Sequence, residues 1–354
     1  MFGLSFGKDV FVGVDVGTTS VKIIELKNYS GKPVLTNYAW ASFDGYFQRD
    51  DNNSQLYEII LPDYIKKMMK EAKIKNGSAY VSIPAFGGLI TLIEFPPMAK
   101  EDMEQAIRFE AHKYVPTSLD EVVLSWDIIG HSGPEQNNLP DGKTQVLLVA
   151  ASKNKVMRYE KMINNASLRL NSLEIESFSM VRSLIGNDQG NFIVADIGSR
   201  VCNILLVERG AIRANRNIDA GGEDITKTIA KSMSISDEKA EKIKIGDKNF
   251  FAAESYIKFP SLELISNEIN RISQSYTSNG RRIKIDNIIL SGGSANLTGL
   301  CQHFSQVLNI NTIIGNPFSR ISYEKKLEPA ISKLGARFSI AAGLALKGME
   351  KNNK

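Results

Sequence analysis

Apolar residues alternate or run together in short blocks that give way to polar, glycine-bearing turns, and this rhythm predicts strands and helices in alternation. Residues 10 to 26, VFVGVDVGTTSVKIIEL, read as two strands around a turn, and 192 to 207, FIVADIGSRVCNILLV, read the same way. In a strand, residues two apart face one side. Gly13, Asp15 and Gly17 therefore share a face free of bulky side chains near the turn, while Val10, Val12, Val14 and Val16 point the other way into a core. Asp196 and Gly198 repeat the device in the second segment.

Further along, the pattern predicts a strand over 34–41, a polar stretch at 47–54, and a helix over 56–72 striped by Ile59, Ile60, Tyr64, Met68 and Met69. Strands follow at 79–83 and 89–95. A helix after Pro97 carries Glu101 and Asp102 in its first turn, where the macrodipole favours acids, and buries Met103, Ile107, Ala111 and Tyr114 before Pro116 ends it. Strands at 121–129 and 145–151 form a hairpin whose Gly-, Pro- and Asn-rich tip, 130–142, is expected to be mobile. A helix over 155–167 and a strand at 173–175 close this half, with a hinge at Gly186 to Gly190. The second half then repeats the plan: a hairpin over 192–215, helical segments at 223–233, 237–245 and 254–279, a strand at 285–290, and a helix over 296–308.

Two Asp-x-Gly turns place carboxylates beside bare backbone. Turn amides can approach phosphate oxygens closely, and an Asp there can hold a hydrated magnesium ion through water. Two further elements, Ala220-Gly221-Gly222-Glu223 before a helix and Ser291-Gly292-Gly293-Ser294 between a strand and a helix, let backbone approach a ligand at a helix N-terminus. Each glycine pair alone reads as a tight turn; the four elements in this order point to a nucleotide clamped between related halves. Glu241 and Lys244, three apart on one helix, form either a surface ion pair or a ribose or purine contact. Glu176, after the 173–175 strand, is placed to orient a water or the magnesium ion, or is a solvated carboxylate.

Composition narrows the classes. The chain has 354 residues, enough for about two domains. Hydrophobic residues make up 43% of it, which supplies buried cores. A net charge of +4 without a basic block argues against nucleic acid. Cys202 and Cys301 read as buried thiols in a reducing compartment, and His112, His131 and His303 lack ligand spacing. No signal peptide precedes the first strand and no run approaches the ~20 apolar residues of a bilayer span, so a cytoplasmic chain that reaches membranes only through a partner is expected. No Gly-x-Ser-x-Gly elbow, Walker run or Gly-x-Gly-x-x-Gly fingerprint is present.

The order of these elements resembles the actin-like ATPase superfamily and, within it, the PilM family of type IV pilus assembly proteins, relatives of the division protein FtsA. GVDVGTTSVK (13–22) is similar to the first phosphate motif, ADIGSRVCN (195–203) to the second, and IILSGGSANLTGL (288–300) to the adenosine motif. Ala240, Glu241 and Lys244 match the A-E-x-x-K helix. Glu176-Ser177-Phe178 stands at the first connecting segment, and GARFSIAAGLAL (335–346) resembles the closing connecting helix. IEFPPMAKEDMEQAIRFEAHKYVP (93–116) looks like the subdomain that PilM and FtsA share. The polar end Lys347 to Lys354 is unlike the membrane helix of FtsA and favours the pilus family.

The resemblance implies an α/β, two-lobed actin-like fold of duplicated ribonuclease-H-like domains. Its units are 1–84 with 168–188, an inserted FtsA/PilM-type subdomain at 85–167, and a second lobe at 189–354 with a subdomain near 222–284. It implies ATP with Mg2+ in the interlobe cleft: Asp15 and Asp196 hold the ion through water, and Gly17, Thr18, Thr19, Lys22, Gly198 and Ser199 line the phosphates. Gly221, Gly222, Glu241, Lys244, Gly292, Gly293 and Ser294 frame the nucleoside, with Asp196 and Glu176 as candidate catalytic groups. Lys22 reads equally as surface cover. It further implies a cytoplasmic scaffold that captures the N-terminal tail of a PilN-like inner-membrane protein, with self-association a further option and weak or absent ATPase activity. Arg200, where the motif usually has a small residue, either reaches the terminal phosphate or occludes it. An FtsA-like filament or division protein, a secretion-system scaffold and a small-molecule kinase of the same superfamily are the alternatives.

Overall fold

The structure is a computed structural model that describes residues 10–43, 56–75, 78–130, 143–252, 255–278, 281–282 and 284–352. Two five-stranded sheets repeat one plan. In the first, β1 (Val10–Val16), β2 (Ser20–Tyr29) and β3 (Lys32–Ser42) form an antiparallel meander, and β4 (Ser78–Ile83) and β8 (Arg169–Ile175) extend it in parallel, in the order β3-β2-β1-β4-β8. In the second, β9 (Asn191–Ile197), β10 (Cys202–Glu208) and β11 (Ala211–Ile218) meander, and β14 (Asn287–Ser291) and β15 (Thr312–Ile314) extend it in parallel, giving β11-β10-β9-β14-β15.

Between β4 and β8 lies a third sheet, β5-β7-β6, built from β5 (Gly88–Phe95), β6 (Val122–Gly130) and β7 (Thr144–Ser152). The helix α2 (Lys100–Ala111) closes its small core of Ile93, Phe95, Met103, Ile107, Ala111, Val146 and Leu148. Its edge strand β5 lies beside β11 of the second sheet, where the Arg213 guanidinium donates to Gln145 Oε1 at 2.8 Å.

Helices cover both large sheets, because strands this apolar must be buried on two faces. The first core holds Val12, Val14, Val16, Val21 and Ile23 against α1 (Leu61–Glu71) and α3 (Lys153–Asn165). The second packs β9 and β10 against α5 (Gly222–Met233), α6 (Asp237–Lys244), α7 (Pro260–Ser275) and α8 (Leu300–Leu308). Between the sheets run α4 (Glu176–Leu184) and the closing helix α10 (Ser339–Asn352), which follows α9 (Glu328–Leu334). The face of β1 opposite the valines is covered by α10: a Cβ on Gly13 would overlap the Ala341 carbonyl oxygen, and one on Gly343 would overlap that of Ser179 on α4. Backbone against backbone at these two glycines lets α10 wedge between α4 and β1.

Several sequence readings need correction. The 254–279 helix begins only at Pro260, because the residue before a proline is pushed out of helical conformation, and it gives way to a small ribbon of β12 (Thr277–Ser278) and β13 (Arg281–Arg282). The 296–308 helix starts at Leu300, after Gly299 at φ +85°. Residues 56–60 form a π turn whose wider pitch rotates the stripe, leaving Ile59 and Ile60 exposed while Leu61, Ile65, Met68 and Met69 are buried. Tyr114 lies past the end of α2 and is 41% exposed. Cys202 is buried, but Cys301 is only half-buried. The polar stretch at 47–54 and the loop tip from His131 to Gly142 lie outside the described residues.

Candidate functional site

The first Asp-x-Gly turn ends β1. Gly17 N–H donates to the Ser20 carbonyl at 2.9 Å, which closes a turn whose Thr18 and Thr19 stay partly exposed. Register places Lys22 on β2 directly across from Asp15, and such pairs share a face. The Lys22 ammonium lies 3.1 Å from Asp15 Oδ2, and Ser82, near the end of β4, donates to Oδ1 at 3.3 Å. Asp15 is 1% exposed, so these partners offset the cost of its buried charge.

The second turn ends β9 in the same way, with Gly198 N–H donating to the Val201 carbonyl at 3.0 Å. Here the residue across from Asp196 is Asn203, and its neighbour on β14 is Ser291. Burial pushes the Asp196 carboxyl up to about 6, while a hydrogen bond from Ser291 and the field of Lys22 pull it back only in part. Glu176 opens α4, and its Oε1 accepts the Ala85 N–H at 2.9 Å. Burial pushes Glu176 up to about 8; the Ala85 hydrogen bond opposes that push, and the charges of Asp15 and Asp196 add to it. Both residues are half-buried rather than fully enclosed. Asp15, Asp196 and Glu176 thus feel one another, with Lys22 the cation acting on Asp196 and Glu176.

The start of α5 docks on the second turn: Gly222 N–H donates to the Gly198 carbonyl at 2.9 Å and Glu223 N–H to the Ser199 carbonyl at 2.8 Å. A side chain at Gly221 would reach within 2.5 Å of the Ser199 oxygen. Arg200 is paired, its Nε 2.9 Å from Glu223 Oε1, an oxygen that also accepts from Ser199 Oγ at 3.1 Å. Lys244 Nζ lies 2.6 Å from Glu241 Oε2, 2.7 Å from Thr226 Oγ1 and 3.0 Å from the Gly222 carbonyl. The Glu241 and Lys244 neighbours foreseen on one helix are therefore tied through Thr226 to the next helix, with the Lys244 side chain only 8% exposed.

The loop after β14 completes the cleft. Gly292, at φ +86°, donates to the Ala336 carbonyl at 3.2 Å, and Ser294 N–H donates to the Ile197 carbonyl at 3.3 Å. Ser294 Oγ lies 2.8 Å from where a Gly222 Cβ would stand, whereas a Cβ on Gly293 would meet nothing within 4 Å. Hydrogen bonds and close approaches thus link the second turn, the two glycine pairs and the Lys244 helix, and Asp15 of the first turn acts on Asp196 and Glu176 through its charge.

Ser82 and Thr226 escape the sequence reading, as does the pairing that sets Asn203 across from Asp196. For Ser82 the available signal is a hydroxyl near the C-terminal end of a parallel strand, the edge where open α/β sheets bind ligands. Cys202 and the described histidines take no part: burial pushes the Cys202 thiol well up, and His303 stacks on Phe251 at 4.9 Å.

Chemically, the surface suits a ligand bearing phosphate oxygens and a divalent cation. Crowded carboxylates with raised pKa values favour a cation, and narrow glycine turns admit an anionic chain to backbone amides. Among the described residues no three His, Cys, Asp or Glu side chains cluster as direct metal ligands.

Comparison with known proteins agrees with this architecture. A family model described as type IV pilus assembly protein PilM matches residues 13–349. The cell division protein FtsA of Enterococcus faecalis is 21% identical over 345 residues, spanning 85% of this chain and 77% of that protein. A solved PilM-PilN type IV pilus biogenesis complex superposes with a TM-score of 0.78 at 23% identity, covering 96% of this chain and 98% of the other. MreB 5 of Spiroplasma citri bound to AMPPNP superposes at 0.52 with 13% identity, covering 98% of each chain. At these identities the structural likeness establishes the fold, a two-lobed actin-like one.

Proposed function

The chain belongs to the type IV pilus assembly protein PilM family, and from that premise we propose that it is an ATP-holding scaffold of the pilus inner-membrane complex. Its cleft takes ATP with Mg2+, and its partner is the cytoplasmic N-terminal tail of a PilN-like membrane protein. The observation that carries the nucleotide half is the pair of Asp-x-Gly turns, Asp15 and Asp196, on equivalent strands of two like sheets with Glu176 beside them. In this reading Asp15 and Asp196 orient the hydrated ion, which supplies charge neutralisation to the phosphates. Amides at 17–19 and 198–199 receive phosphate oxygens, Lys22 adds a cation, and Gly221, Gly222, Glu241, Lys244, Gly292, Gly293 and Ser294 bound the nucleoside.

Slow or absent turnover suits the site. Glu176, pushed up to about 8, carries its proton in most molecules at neutral pH, so only a minority hold the carboxylate form that a general base requires. Arg200, engaged by Glu223, is held in an ion pair rather than extended as a free cation.

The partner half rests on family membership and on the solved complex of the similar PilM with PilN. The inserted β5-β7-β6 module, with residues 85–167 as its proposed extent, sits beside β11 of the second sheet. No helix among the described residues is long and apolar enough to cross a membrane, so a tail supplied by the partner would place the scaffold at the inner membrane. Co-expression with a full-length PilN-like protein, followed by affinity purification, tests the reading. Stoichiometric recovery that disappears when the partner's cytoplasmic tail is deleted is expected; recovery unaffected by that deletion would contradict it.

A further inference from the structure

Arg337 lies where three parts of the molecule meet. Its neighbour Ala336 accepts the Gly292 N–H at 3.2 Å, which fixes the 335–338 turn against the loop after β14. The Arg337 guanidinium carbon sits 4.3 Å from the ring centroid of Trp40 on β3, in the other sheet. Glu241 of α6 is the carboxylate whose field reaches it.

Trp40 is not an arbitrary partner. It is paired in register with Lys22, which is paired with Asp15, so the three make one row across β1, β2 and β3 on one face. The indole is 42% exposed, and a guanidinium stack on a ring this open is weak enough to exchange. Arg337 Nε, by contrast, is buried with no acceptor among the described residues. A buried donor without an acceptor is costly, and it gains one only if the side chain turns.

We propose that Arg337 is a positioning residue that exchanges between the Trp40 ring and the nucleoside end of a bound nucleotide, coupling occupancy of the cleft to the contact between the two lobes. The idea rests on the nucleotide reading above. It names the nucleoside, not the phosphates, as the feature sensed, because the turn that carries Arg337 is fastened to the Ser291–Gly292 loop. The exchange swaps a solvent-exposed stack for contact with a purine or ribose acceptor.

Trp40 supplies the readout. The other tryptophan, Trp126, lies on β6 of the inserted sheet beside Arg108, so Trp126→Phe leaves Trp40 as the sole tryptophan, excited selectively over the tyrosines at the red edge of the absorption band. In this background, emission and calorimetric heat are followed together during titration with Mg-ATP, adenosine and inorganic tripolyphosphate. Mg-ATP and adenosine are expected to change Trp40 emission saturably at the calorimetric midpoint, and tripolyphosphate to leave it unchanged. Arg337→Ala should abolish the response and weaken Mg-ATP about fivefold, with Arg337→Lys restoring part of both, while Trp40→Leu should tighten binding about twofold by removing the competing stack. A merely structural contact would weaken binding in both variants alike, and that result overturns the proposal. Binding heat with unchanged emission overturns it too and leaves the nucleotide reading intact. Absence of heat from Mg-ATP overturns the nucleotide reading and the exchange with it.

Discussion

Asp15 and Asp196 end equivalent strands, each followed by a glycine whose N–H closes the turn, yet their surroundings differ in charge. Across from Asp15 stands Lys22, an ion pair at 3.1 Å. Across from Asp196 stands Asn203, whose Nδ2 donates instead to Ser177 Oγ at 3.3 Å. Two residues earlier the difference is one of volume: Gly13 admits α10, whereas Val194 fills the core between the sheets. Both turns keep the carboxylate, the glycine and a serine on the neighbouring parallel strand, Ser82 or Ser291, and differ in the residue across the hairpin. One carboxylate faces its own counter-charge across the hairpin; the other faces a neutral amide and feels Lys22 only from the first turn.

The most severe way to break the comparison is to make the first strand like the second at position 13. Gly13→Val drives a side chain into the α10 backbone, and such overpacking costs about 1–3 kcal/mol or more. Thermal unfolding should show a drop in Tm of several degrees or loss of soluble protein, and an unchanged Tm would refute the close approach. A gentler exchange is Lys22→Asn, which gives the first turn the neutral partner of the second. Leaving Asp15 buried without its cation is expected to weaken Mg-ATP about tenfold in calorimetry while the fold persists.

The pH dependence sharpens the contrast. Asp196 and Glu176 have folded-state pKa values near 6 and 8, above ordinary carboxylates, so the folded chain holds protons that the unfolded chain has released. Their contribution to stability is therefore complete below the ordinary carboxylate range and is lost as pH rises through about 6 and then about 8. Without added magnesium, Tm should fall between pH 6 and 8, and Glu176→Gln should flatten that slope; a Tm rising over this range would contradict the assignment. The smallest expected effect comes from Glu223→Gln, which releases Arg200 from its 2.9 Å ion pair. A shift of about threefold in the ATP-to-ADP affinity ratio is expected from displacement titrations, the scale of a partly exposed ion pair.

Much of this is legible in the sequence because the signals are local. Strand–turn–strand around Asp15 and Asp196, the acidic start of α2 and the glycine pairs before α5 and after β14 all follow from spacing and turn chemistry. What stays hidden is long-range. Thr226 reaches Lys244 across two helices, and Asn203 faces Asp196 only once register is set. In sequence, Gly13 clears room for a ligand; the path of α10, at the far end of the chain, shows that it also admits a helix backbone. β15, three residues long, gives no periodicity to detect. The late start of α7 is a local signal that the apolar pattern overrides, since Pro260 bars helix at the residue before it.

The central claim, that the two turns together hold a magnesium-bound nucleotide, is tested most directly by calorimetric titration of the protein and its Asp15→Ala variant with ATP, with and without Mg2+. Saturable one-to-one, magnesium-dependent binding to the parent chain is expected, with a flat baseline, and none to a variant that still melts cooperatively. Equal affinity in the two proteins, or no binding to the parent, would contradict it.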